Sequence, residues 1–422
     1  MVGYGASQIL RLGSNLLLTR LLAPEYFGLM ALINVLMIGL NMFSDLGLGP
    51  NIVQSRRGDD PRFLNTAWTV QFLRGCAIWL CSIVGAWPFA MFYDDPRLLW
   101  LVPVVGFSAV ITGLNSMKVF SAQRHIDYAR LTLIDLASQA ASVALMVGWA
   151  MWQASVWALV GGWLFGNLVK MVATHTAMPG PRDRFSWDPA SVHELIGFGK
   201  WIFVSTILSF AANSAGSLIL GKVVSMAEVG VFSIAVTLAK GVEQAFETIS
   251  SRVLLPVFAR IKALPIAEVR ARLLKVRLAV MGAFLPALWA LAIFGQHVME
   301  LLFDQRYRGG GWILQLYAVS AMPGIISGIG QFYLARGNSF LVMTLSAIRL
   351  VTYLAAIYLG WLVGGGNGII VGMALFTIPL YFLDMVFQRR YGIFMPWLDV
   401  GALGLTVTVL AMGSAWTGFR VG

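Results

Sequence analysis

Charge, cysteine and long polar segments are what this chain lacks. Only 12% of its 422 residues are charged, against 58% hydrophobic, and the mean hydropathy is +0.77. Those values exclude a soluble globular protein. The two cysteines, Cys76 and Cys81, fall in one apolar run, five apart on a helix. They point to different sides, which argues against a disulfide or a metal site and leaves packing. No GxxxxGK[ST] segment occurs, so the chain does not hydrolyse ATP through a P-loop. His125, His175, His193 and His297 are scattered without ligand spacing. The acidic pairs Asp59-Asp60 and Asp94-Asp95 each run into a proline and read as turns.

What the chain has is a succession of apolar runs, each long enough to cross a bilayer, which takes about 20 residues. They fall at roughly 3–22, 27–50, 63–92, 98–118, 131–150, 155–175, 198–221, 228–250, 278–302, 311–335, 340–360, 367–388 and 399–418. The fold class is therefore an all-α integral membrane protein of about 13 transmembrane helices, 12–14 allowing for the ends. With the N-terminus in the cytoplasm, twenty of the 30 Lys and Arg residues lie in cytoplasmic loops and span ends, and six lie outside. That asymmetry fixes the orientation. It also accounts for the net charge of +11 without a nucleic-acid partner.

The outer loops, among them LAPEYFG, YDDPR and FDQRYRGGG, are too short for an outer domain. The longest linker, at 176–197, is cytoplasmic. Its SWDPAS segment offers a helix N-cap with proline at an early helical position. The expected organisation is a six-helix lobe over 1–175, the linker, a second six-helix lobe over 198–390, and one further helix in 391–422. The stretch ALPIAEVRARLLKVR has apolar and basic faces. It is expected along the inner membrane surface, with a plain solvated connector as the alternative.

A shift of 202 residues superposes two stretches of the same layout. Arg20 falls on Lys222, Gly28 on Gly230, Gly39 on Gly241, Asn41 on Glu243 and Asp45 on Glu247. Each copy reads as apolar span, basic residue, short turn ending in Gly, apolar span and acid near its far end. A membrane chain built twice from one unit points to a transporter with its site between the halves.

Polar side chains inside spans are costly, roughly 2.5–3.5 kcal/mol for a central Arg, Lys or Asp on insertion scales, so they face protein or water. Span one carries Gln8, Arg11 and Asn15, and span two carries Asn34, Asn41 and Asp45. Span seven carries Thr206, Ser209, Asn213 and Ser217, and span eight carries Lys240, Glu243, Gln244 and Glu247. The same two elements of each repeat thus have wet faces. Arg11, Arg74 and Arg349 lie deep and lack a partner on their own helix. The candidate cavity residues are Arg11, Asn15, Asn41, Asp45, Arg74, Asn213, Lys240, Glu243, Glu247 and Arg349. Bland alternatives stand beside some of them: Asp45 and Glu247 are near enough to a span end to reach headgroup water, and Lys240 and Glu243 are spaced to neutralise each other. Arg20 and Lys222 suit snorkelling to the outer interface. A cavity of cations suits an anion, since guanidinium binds phosphate oxygens bidentately.

The stretch from Leu18 to Gly28, LTRLLAPEYFG, followed by Ser44 to Leu48, SDLGL, resembles the opening of the polysaccharide-transport family. These are the bacterial O-antigen and exopolysaccharide flippases. AWTVQFLRG around Arg74, AQRHIDYARL, LIGFGKWIF, LPALWALAIFGQHVMELLFDQRY and LARGNS extend the likeness over most of the chain. The resemblance implies two pseudo-symmetric six-helix lobes across a central cleft lined by spans one, two, seven and eight. It also implies a place in the bacterial inner membrane and a lipid-linked oligosaccharide on undecaprenyl diphosphate as substrate. Arg11 and Arg74 match by position the arginines held to engage the diphosphate in related flippases. Departures are a short amino end, one span after the twelfth where many relatives have two, and Asp304 after Phe303 where the family often has Gly.

The expected function is thus a flippase for a lipid-linked oligosaccharide or polysaccharide precursor, such as one for lipopolysaccharide, working by alternating access without enzymatic chemistry. No cofactor is expected, and a proton or sodium ion would reset the cycle. Membrane lipids, a polysaccharide polymerase and a chain-length regulator are the expected partners. A multidrug and toxin extruder is the alternative in the same architecture, but a cation exporter would favour acid over Arg. A membrane glycosyltransferase or polymerase would need a larger outer loop, and a scaffold has no need of buried arginines.

Overall fold

Every span expected from the sequence is built on helix in the computed structural model, with described breaks at 44–45 and 47 in the second and 114–117 in the fourth. The structure describes residues 2–45, 47–55, 57–125, 127–250, 265–327 and 339–417. Within them the side chains of 2, 4, 50, 54, 196–209, 211–213, 339–343 and 414–417 are not described. Among the described residues, eight helices are long and apolar enough to cross a membrane, or nine if one bent pair is a single span. One of the eight, Thr344–Arg390, holds two expected spans. The first, seventh and tenth expected spans are helical as well, so thirteen is compatible with the structure.

The first compact unit is Met1–Gly230. It contains α1 (Val2–Leu21), α2 (Pro24–Phe43), α3 (Leu48–Gln54), α4 (Pro61–Tyr93), α5 (Leu98–Gly106), α6 (Ser108–Gly113) and α7 (Lys118–Arg124). It continues through α8 (Tyr128–Trp152), α9 (Val156–Thr176), α10 (Pro189–Val223) and the first turn of α11 (Met226–Ile249). The starts of these helices are set locally. Asp60 caps α4 by accepting from the Arg62 N–H at 3.0 Å, and that hydrogen bond holds its carboxyl below the usual range. Asp188 caps α10, followed by Pro189 as the sequence predicts, and accepts from the Ser191 N–H at 3.1 Å.

Helices α8 and α9 pack along each other, and α1 lies on α8. There the Ser7 hydroxyl donates to Gln139 Oε1 at 2.8 Å, so part of the polar character of span one serves helix packing. The linker expected at 176–197 is non-helical only over 177–188. Its later residues already belong to α10, which packs on α2 and α4. Phe210 stands 5.1 Å from the Phe43 ring, Tyr93 Oη donates to the Leu218 carbonyl at 3.0 Å, and Lys222 pairs with Asp94 at 2.6 Å. These contacts place α10 in the first unit, so the contact boundary falls at residue 230, well past the linker.

The 202-residue shift has a physical counterpart. A Cβ built on Gly28 would lie 1.9 Å from the Met226 carbonyl oxygen, and one on Gly230 would lie 1.9 Å from the Pro24 carbonyl oxygen. Pro24 and Met226 are themselves related by the same shift. The first turns of α2 and α11 therefore cross backbone to backbone, reciprocally, at equivalent glycines, and no larger side chain fits.

The second unit is Val231–Gly422. It holds the rest of α11, α12 (Ile266–Leu302), a 3-10 turn (Gln305–Gly310), α13 (Gly311–Ser327), α14 (Ser339–Leu375), α15 (Thr377–Arg390) and α16 (Pro396–Thr417). Helix α14 holds one expected span and the start of the next, which continues into α15; it leaves helical geometry at Gly364–Gly365, the latter at φ +56. The basic stretch near 265–277 is the beginning of α12, continuous with span nine rather than a separate surface helix. Val269, Leu273 and Arg277 recur every four residues and are all buried.

Arg277, near the start of the ninth expected span, is buried. Its guanidinium is 1% exposed and meets Asp399, 0% exposed, at 2.6 Å. It also donates to the Ile326 carbonyl from Nε at 3.1 Å and Nη2 at 2.8 Å, while Tyr381 Oη donates to Asp399 at 2.8 Å. This cluster ties α16 to α12, α13 and α15. Lys118 is likewise buried, and its Nζ donates to the carbonyls of His175 and Met178 at 3.0 and 3.3 Å, closing the end of α9.

Candidate functional site

The SDLGL segment shapes one wall of a polar cavity in the first unit. After α2 ends, the Ser44 hydroxyl donates back to the Leu40 carbonyl at 2.7 Å. Asp45 Oδ1 accepts from the Gly47 N–H at 2.9 Å, and Gly47, at φ +63, starts α3. Asp45 is thus a turn-forming acid. Arg74, thirteen residues into α4, reaches this turn. Its Nε donates to Ser44 Oγ at 3.0 Å and its Nη2 to the Asn41 carbonyl at 2.7 Å. A guanidinium at the carbonyl end of α2 is also favoured by the helix dipole.

The opposite wall is a broken span. The α5–α6 segment and α7 meet at a bend of 60° between Gly113 and Lys118. Breaking the helix frees carbonyls, and those of Thr112, Gly113 and Leu114 are collected by side chains. Gln71 Nε2 donates to Thr112 O and Gly113 O at 3.2 and 3.1 Å, and Trp68 Nε1 donates to Leu114 O at 3.3 Å. His175 Nε2 stands 2.8 Å from the same Leu114 oxygen. Beyond the break, Asp183 from the linker accepts from the Ser116 hydroxyl at 2.5 Å and the Met117 N–H at 3.1 Å.

Between these walls lies a cavity of about 270 Å³. Its polar lining is Asn41, Gln71, Arg74, Thr112, Asn115, Ser116 and Lys170, with two cations and no acid. Asn115 Oδ1 is buried without a hydrogen-bond partner among the described residues, so a donor such as a sugar hydroxyl or water would satisfy it. Arg74 makes no ion pair among the described residues, and its Nη1 has no protein acceptor there. Arg74 is half-buried and feels the Asp45 charge only at a distance, so an anion in the cavity would offset part of its desolvation.

Of the ten residues singled out in the sequence, the structure brings Asn41 and Arg74 together here. Arg11 and Asn15 are half-buried on α1. Asn213 stands on α10 with its side chain outside the described residues. In the second unit Lys240 and Glu247 are exposed and Glu243 half-buried, and no ion pair between Lys240 and Glu243, one of the two alternatives for them, is found among the described residues. Arg349 is exposed rather than buried, its guanidinium 5.7 Å from the centre of the Phe376 ring. Gln71, Asn115 and Lys170 were not singled out. Gln71 carried a signal, since it lies three residues before Arg74 and shares its helix face.

Comparison with known proteins agrees with this architecture. Residues 17–309 match the family described as polysaccharide biosynthesis protein. The lipopolysaccharide biosynthesis protein WzxC of Escherichia coli (strain K12) is 22% identical over 86% of this chain and 73% of its own length. An inward-facing structure of a multidrug resistance MATE family transporter superposes with a TM-score of 0.71 at 14% identity, covering 91% of this chain and 94% of that one. The lipid II flippase MurJ, in an inward closed conformation, gives 0.66 at 12% identity, covering 98% and 97%.

Proposed function

The chain belongs to the family of polysaccharide biosynthesis proteins, and from that premise we propose that it is a flippase for a lipid-linked oligosaccharide. It is a multi-pass protein of the bacterial inner membrane. The substrate carries its glycan on undecaprenyl diphosphate and crosses from the inner to the outer leaflet by alternating access, without covalent chemistry.

The Arg74 cavity carries this reading. Two donors of the guanidinium are fixed by Ser44 and Asn41, which orients its remaining edge for a phosphoryl oxygen. At about 270 Å³ the cavity falls just short of the roughly 300–1,000 Å³ that encloses a drug-sized ligand. It therefore suits the diphosphate and adjacent sugar hydroxyls, while the isoprenoid tail stays in lipid. Export of cationic drugs fits poorly, because the wall has cations and no acid.

The test is replacement of Arg74 by Ala in a strain lacking the chromosomal copy. Surface polysaccharide should disappear at unchanged protein level, with lipid-linked glycan accumulating on the inner leaflet. Normal polymer from Arg74→Ala would overturn the assignment.

A further inference from the structure

Lys170 borders the Arg74 cavity from α9, yet its ammonium is engaged elsewhere. It pairs at 2.7 Å with Asp135 on the neighbouring helix α8, and Asp135 does not line the cavity. Both side chains are exposed, 37% for Lys170 and 57% for Asp135, and both stand near the ends of their expected spans, where headgroup water weakens an ion pair and lets it exchange. Arg74 on the same wall has no acid at ion-pair distance among the described residues. The cavity thus has one fixed cation and one that a modest rotation of a four-carbon chain delivers.

We propose that Lys170 is a second anion ligand of this cavity, held in reserve by Asp135 and exchanged onto a phosphoryl oxyanion when one binds beside Arg74. The inference rests on the reading of the Arg74 cavity as the site of the substrate's diphosphate. Arg74 supplies orientation through its fixed guanidinium, and Lys170 supplies charge. Asp135 sets how tightly the anion is held, because every binding event must first take the ammonium from it. A site that must later release its cargo gains from such a competitor, which recaptures Lys170 as the anion leaves.

The probe is inorganic pyrophosphate, titrated calorimetrically into the full-length protein in nanodiscs of zwitterionic lipid. Lys170→Ala should weaken binding about 10-fold, the loss of one charge-assisted contact. Asp135→Asn, which keeps the shape and removes the competitor, should strengthen it about 3-fold or more. The double variant should bind like Lys170→Ala, and Lys170→Arg should retain most of the affinity; thermal melts confirm that each variant is folded. An unchanged affinity in Asp135→Asn, or wild-type binding by Lys170→Ala, overturns the exchange. If Arg74→Ala alone abolishes binding, the Arg74 site stands without it, and if the wild type does not bind pyrophosphate, both fail. Pyrophosphate binding by the wild type together with normal surface polymer from Arg74→Ala would instead leave the anion site standing and overturn only its role as the site of the substrate's diphosphate. Adding undecaprenyl diphosphate or phosphatidylglycerol to the nanodiscs identifies which lipid phosphate displaces pyrophosphate.

Discussion

Replacing Gly28 by Ala tests whether the internal repeat is a packing device or a coincidence of sequence. The new methyl would lie 1.9 Å from the Met226 carbonyl oxygen and 2.9 Å from its carbon. Ordinary contact starts near 3.4 Å, so α2 and the first turn of α11 must part by about 1.5 Å, and both partners are backbone that cannot rotate away. Overpacking of this kind costs about 1–3 kcal/mol, and rigid backbone on both sides puts the value at the upper end. Gly230→Ala inflicts the same lesion from the other side, against the Pro24 oxygen. Once either methyl has separated the backbones, the second enters space already opened. The double variant should therefore cost little more than one single, a coupling of about 2 kcal/mol between sites in direct contact.

The assay is unfolding by denaturing detergent titrated into mixed micelles, compared across wild type, both singles and the double. Gly13→Ala is the control, since a Cβ there meets nothing within 4 Å and a helical Gly→Ala change is expected to be neutral or to stabilise by about 0.4–1 kcal/mol. If Gly28→Ala behaves like Gly13→Ala, or if the two singles add fully, the reciprocal crossing is wrong.

Removing Asp399 strands the Arg277 guanidinium at 1% exposure, so Asp399→Ala should cost about 3–5 kcal/mol, and the paired change Arg277→Met with Asp399→Leu should recover most of it in the same titration. In the outer turn, burial alone would raise the Asp95 carboxyl, but hydrogen bonds from Arg97 outweigh it and hold the pKa below its usual value. The depressed value means that the Asp95 contribution is complete above the unfolded pKa near 3.9 and is lost as pH falls through the folded one. Stability of wild type relative to Asp95→Asn should thus show a gap at pH 6 that closes towards pH 2. Because Arg97 is 41% exposed, the gap should be about 1 kcal/mol or less.

How much of this was legible in the sequence follows from how local each signal is. Apolar runs of bilayer length specify helices with little help, and caps such as Asp60 and Asp188 act within three residues, so spans and helix starts could be read directly. The Gly28/Gly230 equivalence was visible as a shift, although its reciprocal contact needed three dimensions. Long-range charge partners were not visible. Arg277 and Asp399 are 122 positions apart, and a basic residue beside a span end looks the same whether it is solvated or buried. Lys118 and Lys170 were hidden for the same reason, one closing α9 and the other bordering the cavity. The break in span four left no proline at the bend; the polar run Asn115-Ser116 stands there before Lys118, and the groups that satisfy the break, Gln71, Trp68 and Asp183, come from other elements.

The SDLGL segment shows how a motif can shape a cavity without lining it. Its acid invites a role in the pathway, but the Asp45 carboxylate is spent on the Gly47 N–H, and Gly47 itself supplies the left-handed turn that ends span two and starts α3. The consequence falls on Ser44, whose hydroxyl is held by the last turn of α2 and in turn receives Arg74 Nε. The turn therefore fixes the direction of the guanidinium. A site of this kind places its cation on a rigid helix and orients it from a second element, so that its free edge is preorganised before an anion arrives. That arrangement joins the acid of the motif and the arginine of span three into one structural unit, of which only the arginine lines the cavity.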